Sequence, residues 1–180
     1  HHVSFVGAGP GATDLLTLRA AERLRSADVL VWTDSLVCPG IPKLAPDRCE
    51  KIRTSTMTLE EVIPLLIDRQ KSGKRIVRLH DGDTALYSAI NEQICALTDH
   101  NIPVEVVPGI SAYQAAAAGL ASELTIPGVV QTIVLGRAGG RTGVPDSEAL
   151  SRLAALKASL CLYLSARHVE DVQTTLLEHY

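Results

Sequence analysis

Aromatic side chains are scarce in this chain, with one Phe, one Trp and four Tyr among 180 residues. That leaves little surface on which successive bases can stack, and a formal net charge of -3 supplies no basic stripe, so a nucleic-acid partner is not expected. The apolar runs fall short of the roughly 18 residues that a membrane span needs, and no basic segment leads into an apolar stretch as in an export signal. The four cysteines, Cys38, Cys49, Cys95 and Cys161, lack the short paired spacing of a zinc site and read as reduced thiols. Of the six histidines, His1 and His2 stand at the very start, where processing remnants collect. The expectation is a soluble cytosolic protein with no bound metal.

What the chain does have is Val, Ile, Leu and Ala, within a hydrophobic content of 46%. These fill the cores of helix-covered parallel sheets. A chain of this length buries about 70% of its unfolded surface without help from metal or disulfide.

Short β-branched runs alternate with stretches of helical spacing, the pattern of βα units and of the α/β class. The spacing predicts a strand over residues 3–6, a helix carried by Leu16, Ala20, Leu24 and Ala27, and a strand over 29–32. Pro39, Gly40, Pro42 and Pro46 predict an irregular connection. Thr58 and Glu61 form a capping-box signature for a helix reaching about Lys71 and closed by Gly73, with Pro64 expected to kink or break it. A strand over 75–80 follows, then a helix presenting Leu86, Ile90, Ile94 and Leu97, a strand over 104–107, and an Ala-rich helix capped by Ser111 and ending near Ala121. A second series predicts strands over 129–135 and 160–164 and helices over 146–157 and 169–179. A series that stops on a helix suggests a second domain without its end.

The loop Gly7-Ala8-Gly9-Pro10-Gly11-Ala12 falls at a strand-to-helix turn, where bare backbone lets a ligand approach closely. With Gly7, Gly9 and Ala12 in the glycine positions and Asp34 at the end of the second strand, it also fits the dinucleotide fingerprint. An oxidoreductase built on the first βαβ unit is therefore one reading. Pro10 removes an N–H from an anion cradle and Asp14 puts a negative charge where a pyrophosphate would lie, so a cofactor without phosphates fits better. A turn that only packs is the plain structural alternative.

A second turn, His80-Asp81-Gly82-Asp83-Thr84-Ala85-Leu86-Tyr87, offers Asp81 and Asp83 as acceptors for ribose hydroxyls or a cation, or as caps for the next helix. A third, Val107-Pro108-Gly109-Ile110-Ser111-Ala112, offers backbone groups and the Ser111 hydroxyl. Open α/β sheets place their ligands at such carboxyl ends of strands.

Together and in this order, the three turns resemble the tetrapyrrole methylase family, whose enzymes transfer a methyl group from S-adenosylmethionine to a tetrapyrrole ring, mostly in cobalamin and sirohaem synthesis. Gly-Ala-Gly-Pro-Gly followed by Asp14-Leu15-Leu16-Thr17-Leu18-Arg19-Ala20 looks like the family's first signature. Ala27-Asp28-Val29 leading to Thr33-Asp34-Ser35-Leu36-Val37 looks most like the branch that methylates precorrin-4, or its cobalt-containing counterpart, at C11. So do Leu124-Thr125-Ile126-Pro127, Gln131-Thr132 and Arg137-Ala138-Gly139-Gly140-Arg141-Thr142.

The resemblance implies two α/β domains with mostly parallel sheets, residues 1–110 and 111–180, the second incomplete because members of the family are longer. It implies an active site in the trough between them, and a homodimer. S-adenosylmethionine, leaving as S-adenosylhomocysteine, would lie against Asp81, Gly82, Asp83, Leu86, Ser111 and Ala112, with Leu164 near its adenosine side. Pro10 and Gly11 would line the tetrapyrrole face. Thr84 stands where the family commonly has Pro, and Asp81 where a small residue is common, which implies a looser turn and an extra carboxylate for the sulfonium cation.

A sulfonium methyl is already activated, so alignment with a ring carbon and exclusion of water carry the reaction, with no metal and no covalent enzyme intermediate required. Asp34 is the candidate base or charge stabiliser, with a loop cap as its structural alternative. Arg53, Arg137 and Arg141 are the candidates for the substrate's carboxylates, which guanidinium forks suit. His80 is expected to pack or bond locally. Other readings keep the family but change the substrate, to another ring position, to uroporphyrinogen III, or to a protein or RNA; a non-catalytic remnant is a further one.

Overall fold

A computed structural model describes residues 2–138 and 143–180. The chain divides into two units, with the division between Ala115 and Ala116.

The first unit is a five-stranded, wholly parallel sheet: β1 (Val3–Gly7), β2 (Val29–Trp32), β3 (Glu50–Arg53), β4 (Ile76–His80) and β5 (Val104–Val107), in the spatial order β3-β2-β4-β1-β5. The helices are α1 (Leu18–Ser26), α2 (Leu59–Lys71), α3 (Ile90–Asp99) and α4 (Ala112–Gly119), the last running across the division. Alternation along the strands sends side chains to opposite faces and builds two cores. On one face Val6, Leu30, Trp32, Leu79 and Val107 pack with Ala20 and Leu24 of α1. On the other, Val3, Phe5, Val31 and Ile76 meet Leu66 of α2 and Leu97 of α3. Burying each large apolar side chain contributes roughly 1.5–3 kcal/mol.

The caps follow the sequence. Thr17 accepts the Ala20 amide at the start of α1, and Thr58 and Glu61 complete the capping box of α2. Pro64 does not break α2, which runs unbroken to Lys71. A proline here removes one backbone bond, while Val62 and Leu66 stay buried and hold the helix to the sheet.

Elsewhere the expectations need correction. The Pro-rich connection contains a single 3-10 turn, Pro42–Leu44, and is followed by the unforeseen edge strand β3. Leu86 lies outside any helix, because α3 starts only at Ile90, after a segment in which Tyr87 and Ala89 adopt left-handed φ values of 55° and 48°.

The second unit pairs β6 (Ile133–Arg137) with β7 (Ser159–Tyr163) in parallel, and carries α5 (Leu150–Ala154) and α6 (Val169–Leu177). β6 starts later than expected because Ile126 and Val130 close a tight turn first. The helix foreseen over 146–157 shortens to a 3-10 turn, Asp146–Glu148, and the single α-turns of α5. Among the described residues no helix is long and apolar enough to cross a membrane, and no group of three or more His, Cys, Asp or Glu side chains is placed to hold a metal.

Candidate active site

Because β4 lies between β2 and β1, with β5 beyond β1, the carboxyl ends of β4, β1 and β5 are neighbours. The three turns singled out in the sequence leave from these ends and meet. The Gly9 amide donates to the Gly82 carbonyl at 3.0 Å, the Gly82 amide returns a bond to the Gly9 carbonyl at 2.9 Å, and the Ala8 amide donates to the His80 carbonyl at 2.7 Å. The backbones are so close that a Cβ on Gly7 would lie 2.6 Å from the Gly109 nitrogen and 2.7 Å from the Gly82 oxygen. Only glycine fits there.

Asp83 fastens the cluster. One carboxylate oxygen accepts the Ala85 amide at 2.9 Å and the other accepts the Gly109 amide at 2.8 Å, joining the second turn to the third. Its oxygens are therefore committed to backbone, whereas neighbouring Asp81 is exposed. Ser111 is buried at the start of α4, and its amide donates to Gln114 Oε1; Ala112 beside it is exposed. Leu86 is half-buried in the segment that follows Asp83. Thr84, Ala85, Tyr87, Ser88 and Ala89 of that segment line a cleft of about 510 Å³ together with the start of α3.

Pro10 and Gly11 are half-buried at the first turn. Pro10 has no N–H, and the Ala8 and Gly9 amides are spent on His80 and Gly82, so none of these three residues offers an N–H to a pyrophosphate.

A second cavity, of about 420 Å³, opens at the carboxyl ends of β2 and β3. Trp32, Val37, Pro39 and Pro42 form apolar walls, and Asp34, Lys43, Lys51 and Arg53 add charge. Asp34 and Arg53, both singled out in the sequence, thus line one cavity together with two lysines that were not singled out there. Among the described residues, Lys43, Lys51 and Arg53 enter no salt bridge. Asp34 Oδ1 is buried without a hydrogen-bond partner among the described residues. Hydrogen bonding from Ser55, aided by the charge of Arg53, holds this carboxyl below its ordinary range.

His80 is buried with its ring stacked on Phe5 at a centroid distance of 6.0 Å. Burial, reinforced by the charge of Arg78, pushes its pKa down to about 3, so it is neutral at physiological pH. Of the remaining candidates, Arg137 ends β6 and donates to the Gly143 carbonyl at 2.9 Å. Leu164 follows β7, is 71% exposed and has φ 56°. Arg141 lies outside the described residues.

The chain and its fold have counterparts among known proteins. The chain belongs to the tetrapyrrole (corrin/porphyrin) methylases, whose family model matches residues 2–180. Among curated relatives, a cobalt-precorrin-4 C(11)-methyltransferase of Priestia megaterium is 44% identical over 168 residues, covering 93% of this chain and 65% of that protein. One from Methanocaldococcus jannaschii is 38% identical over 176 residues, covering 98% of this chain and 68% of that protein. The chain thus spans about two thirds of these relatives' length. Among solved structures, a cobalt precorrin-4 methyltransferase, a cobalamin biosynthetic enzyme, matches with TM-score 0.95 and 39% identity over 99% of this chain and 74% of that one. A uroporphyrin-III C-methyl transferase from Thermus thermophilus, complexed with S-adenyl homocysteine, matches with TM-score 0.80 and 31% identity over 99% of this chain and 76% of that one.

Proposed function

We propose that this chain is an S-adenosylmethionine-dependent C-methyltransferase acting on precorrin-4, or its cobalt-containing counterpart, at C11. The observation that carries the reading is the cavity at the ends of β2 and β3. Its apolar walls suit a flat ring, and Lys43, Lys51 and Arg53, none of them in a salt bridge among the described residues, suit the ring's acetate and propionate carboxylates. The names of the relatives support the choice of substrate.

The cleft beside the second turn fits the methyl donor. At the turn next to this cleft, exposed Asp81 offers a carboxylate to a cation, Gly82, Leu86 and Ala112 offer backbone and apolar surface, Ser111 is a further candidate contact, and Asp83 holds the turn in shape. A donor without phosphates loses nothing from the spent amides of Ala8 and Gly9. When bound, its sulfonium supplies an activated methyl group.

The protein's part is alignment and charge. As a neutral ring carbon gains a methyl cation the ring becomes positive, and the Asp34 carboxylate, ionised because Ser55 and Arg53 favour its charged form, stabilises that charge. A lowered pKa suits charge stabilisation better than proton abstraction. The buried Oδ1 is free to accept from a pyrrole N–H. Arg137, and Arg141 outside the described residues, are further candidates for substrate carboxylates. The family resemblance adds a homodimer to the reading, and the sequence composition adds a cytosolic location.

Incubation with S-adenosylmethionine and a panel of pathway intermediates, followed by mass spectrometry, tests the assignment. A one-methyl mass gain on precorrin-4 or cobalt-precorrin-4 is expected. A gain on uroporphyrinogen III with none on precorrin-4 overturns it. The dinucleotide reading predicts tight NAD binding and no response to S-adenosylhomocysteine, which calorimetry distinguishes.

A further inference from the structure

The middle strand of the sheet carries a cation where an apolar side chain would pack. Arg78 is 7% exposed on the face covered by α2 and α3, and among the described residues no carboxylate pairs with it. Burial pulls its pKa down only to about 10, so the charge persists at neutral pH. Burying an unpaired charge is costly, and replacing such a group by a well-packed apolar one is commonly neutral or stabilising. His80 on the same face is neutral and provides no counter-charge.

The guanidinium partners show what the charge is fixed to. Its Nη1 donates to Thr54 Oγ1 at 3.3 Å and its Nε donates to Gln93 Oε1 at 3.3 Å. Thr54 Oγ1 in turn bonds Thr33 Oγ1 at 3.2 Å, and Gln93 Nε2 donates to the Ala89 carbonyl at 3.1 Å. At one end, then, the chain of bonds reaches the residue before Asp34 and the residue between Arg53 and Ser55. At the other it reaches Ala89, held at φ 48° in the segment that lines the cleft beside Asp83.

We propose that Arg78 is a positioning residue that ties the Asp34–Arg53 rim of the substrate cavity to the left-handed segment 87–89 of the methyl-donor cleft. The inference rests on the functional reading above for the occupants of the two clefts. Its physical consequence is that a change at Thr54, on the substrate side, is felt on the donor side. Buried, mutually bonded groups of this kind show non-additive effects, and the coupling between two sites typically amounts to 5–150-fold in affinity.

The test is S-adenosylhomocysteine binding to the full chain by calorimetry. Thr54→Val, which keeps the shape and removes the hydroxyl, is expected to weaken binding about fivefold or more, and Thr54→Ser, which keeps the hydroxyl, to restore it. Arg78→Met weakens it as well, and adding Thr54→Val to Arg78→Met produces no further loss. Unchanged affinity in Thr54→Val, or losses that multiply in the double variant, overturns the proposal. If Arg78→Met fails to fold, the Val and Ser pair at Thr54 decides alone. If the wild-type chain binds no S-adenosylhomocysteine, the functional reading fails. Hydrogen exchange then decides the relay: amides 85–89 exchange faster in Thr54→Val if it exists, and unchanged exchange there overturns it.

Discussion

Replacing Gly7 by Ala puts one methyl group at the point where the three turns meet. The new Cβ would sit 2.6 Å from the Gly109 nitrogen and 2.7 Å from both the Gly109 Cα and the Gly82 oxygen, where ordinary contact begins at 3.4 Å. All three neighbours are backbone, so the turns must part by roughly 0.7–0.8 Å, an overpacking strain of about 1–3 kcal/mol. Parting them stretches the reciprocal Gly9–Gly82 bonds and the bond from the Gly109 amide to Asp83. A neutral bond contributes about 1 kcal/mol and a charge-assisted one about 1.5–3 kcal/mol, so a total near 3–5 kcal/mol is expected. For a chain of this size each kcal/mol lowers Tm by roughly 2–4 °C, which gives a fall of about 6–20 °C in scanning calorimetry. S-adenosylhomocysteine affinity should drop with it. Gly119→Ala is the control: its Cβ at the end of α4 meets nothing within 4 Å, and the change should stay within about 1 kcal/mol. A Gly7→Ala protein that melts within about 2 °C of the wild type and binds S-adenosylhomocysteine normally would refute the interlocked-turn argument.

Asp34→Asn should lower kcat about a hundredfold and leave S-adenosylhomocysteine affinity nearly intact; equal loss of both would assign Asp34 a structural role instead. Lys51→Met combined with Arg53→Met should raise KM for the tetrapyrrole about tenfold or more, with kcat changed much less, as steady-state kinetics can show. Glu105 provides an acid-stability prediction. Its hydrogen bond from Arg23, helped by Ser4, holds its pKa at about 2 against an ordinary 4.5. Between these values the unfolded chain binds the extra proton, so this contribution is fully present above pH 4.5 and is lost as pH falls toward 2. Denaturant titrations of Glu105→Gln should show a shallower loss of stability across that window, and an unchanged pH slope would count against the pairing.

β2, inside the sheet, was legible because burial on both faces favours an unbroken apolar run, as in Val29–Trp32, and β4 because Ile76, Val77 and Leu79 keep most of such a run around Arg78. β3 was not, because an edge strand reading Glu-Lys-Ile-Arg owes its conformation to pairing with β2 and to the Arg69–Glu50 ion pair rather than to its own pattern. That omission also hid part of the site. Once β3 is known to be a strand, Lys51 and Arg53 stand two residues apart and share one face. Lys43 carries no such signal, since only the shape of the cavity separates it from any surface lysine. The three glycine turns were readable because close backbone approach leaves no other residue type. Their mutual contact was not, because it depends on strand order. The early helix start at Leu86 failed because Tyr87 and Ala89 adopt left-handed conformations, and nothing in their residue types announces it.

The strand order also constrains how the protein is made. β1 and β2 never touch; β4, which follows both in the chain, slides between them and supplies the missing partner for each. A nascent chain that ends before residue 76 therefore exposes β1 with neither neighbour, while β2 can recruit only β3. Pairing over such sequence separations slows folding, since loop closure must precede any reward from contact. Synthesis of Ile76–His80 is thus the event that commits the first unit to its native sheet. Chaperone binding to ribosome-bound chains is expected to fall off once this segment has left the exit tunnel.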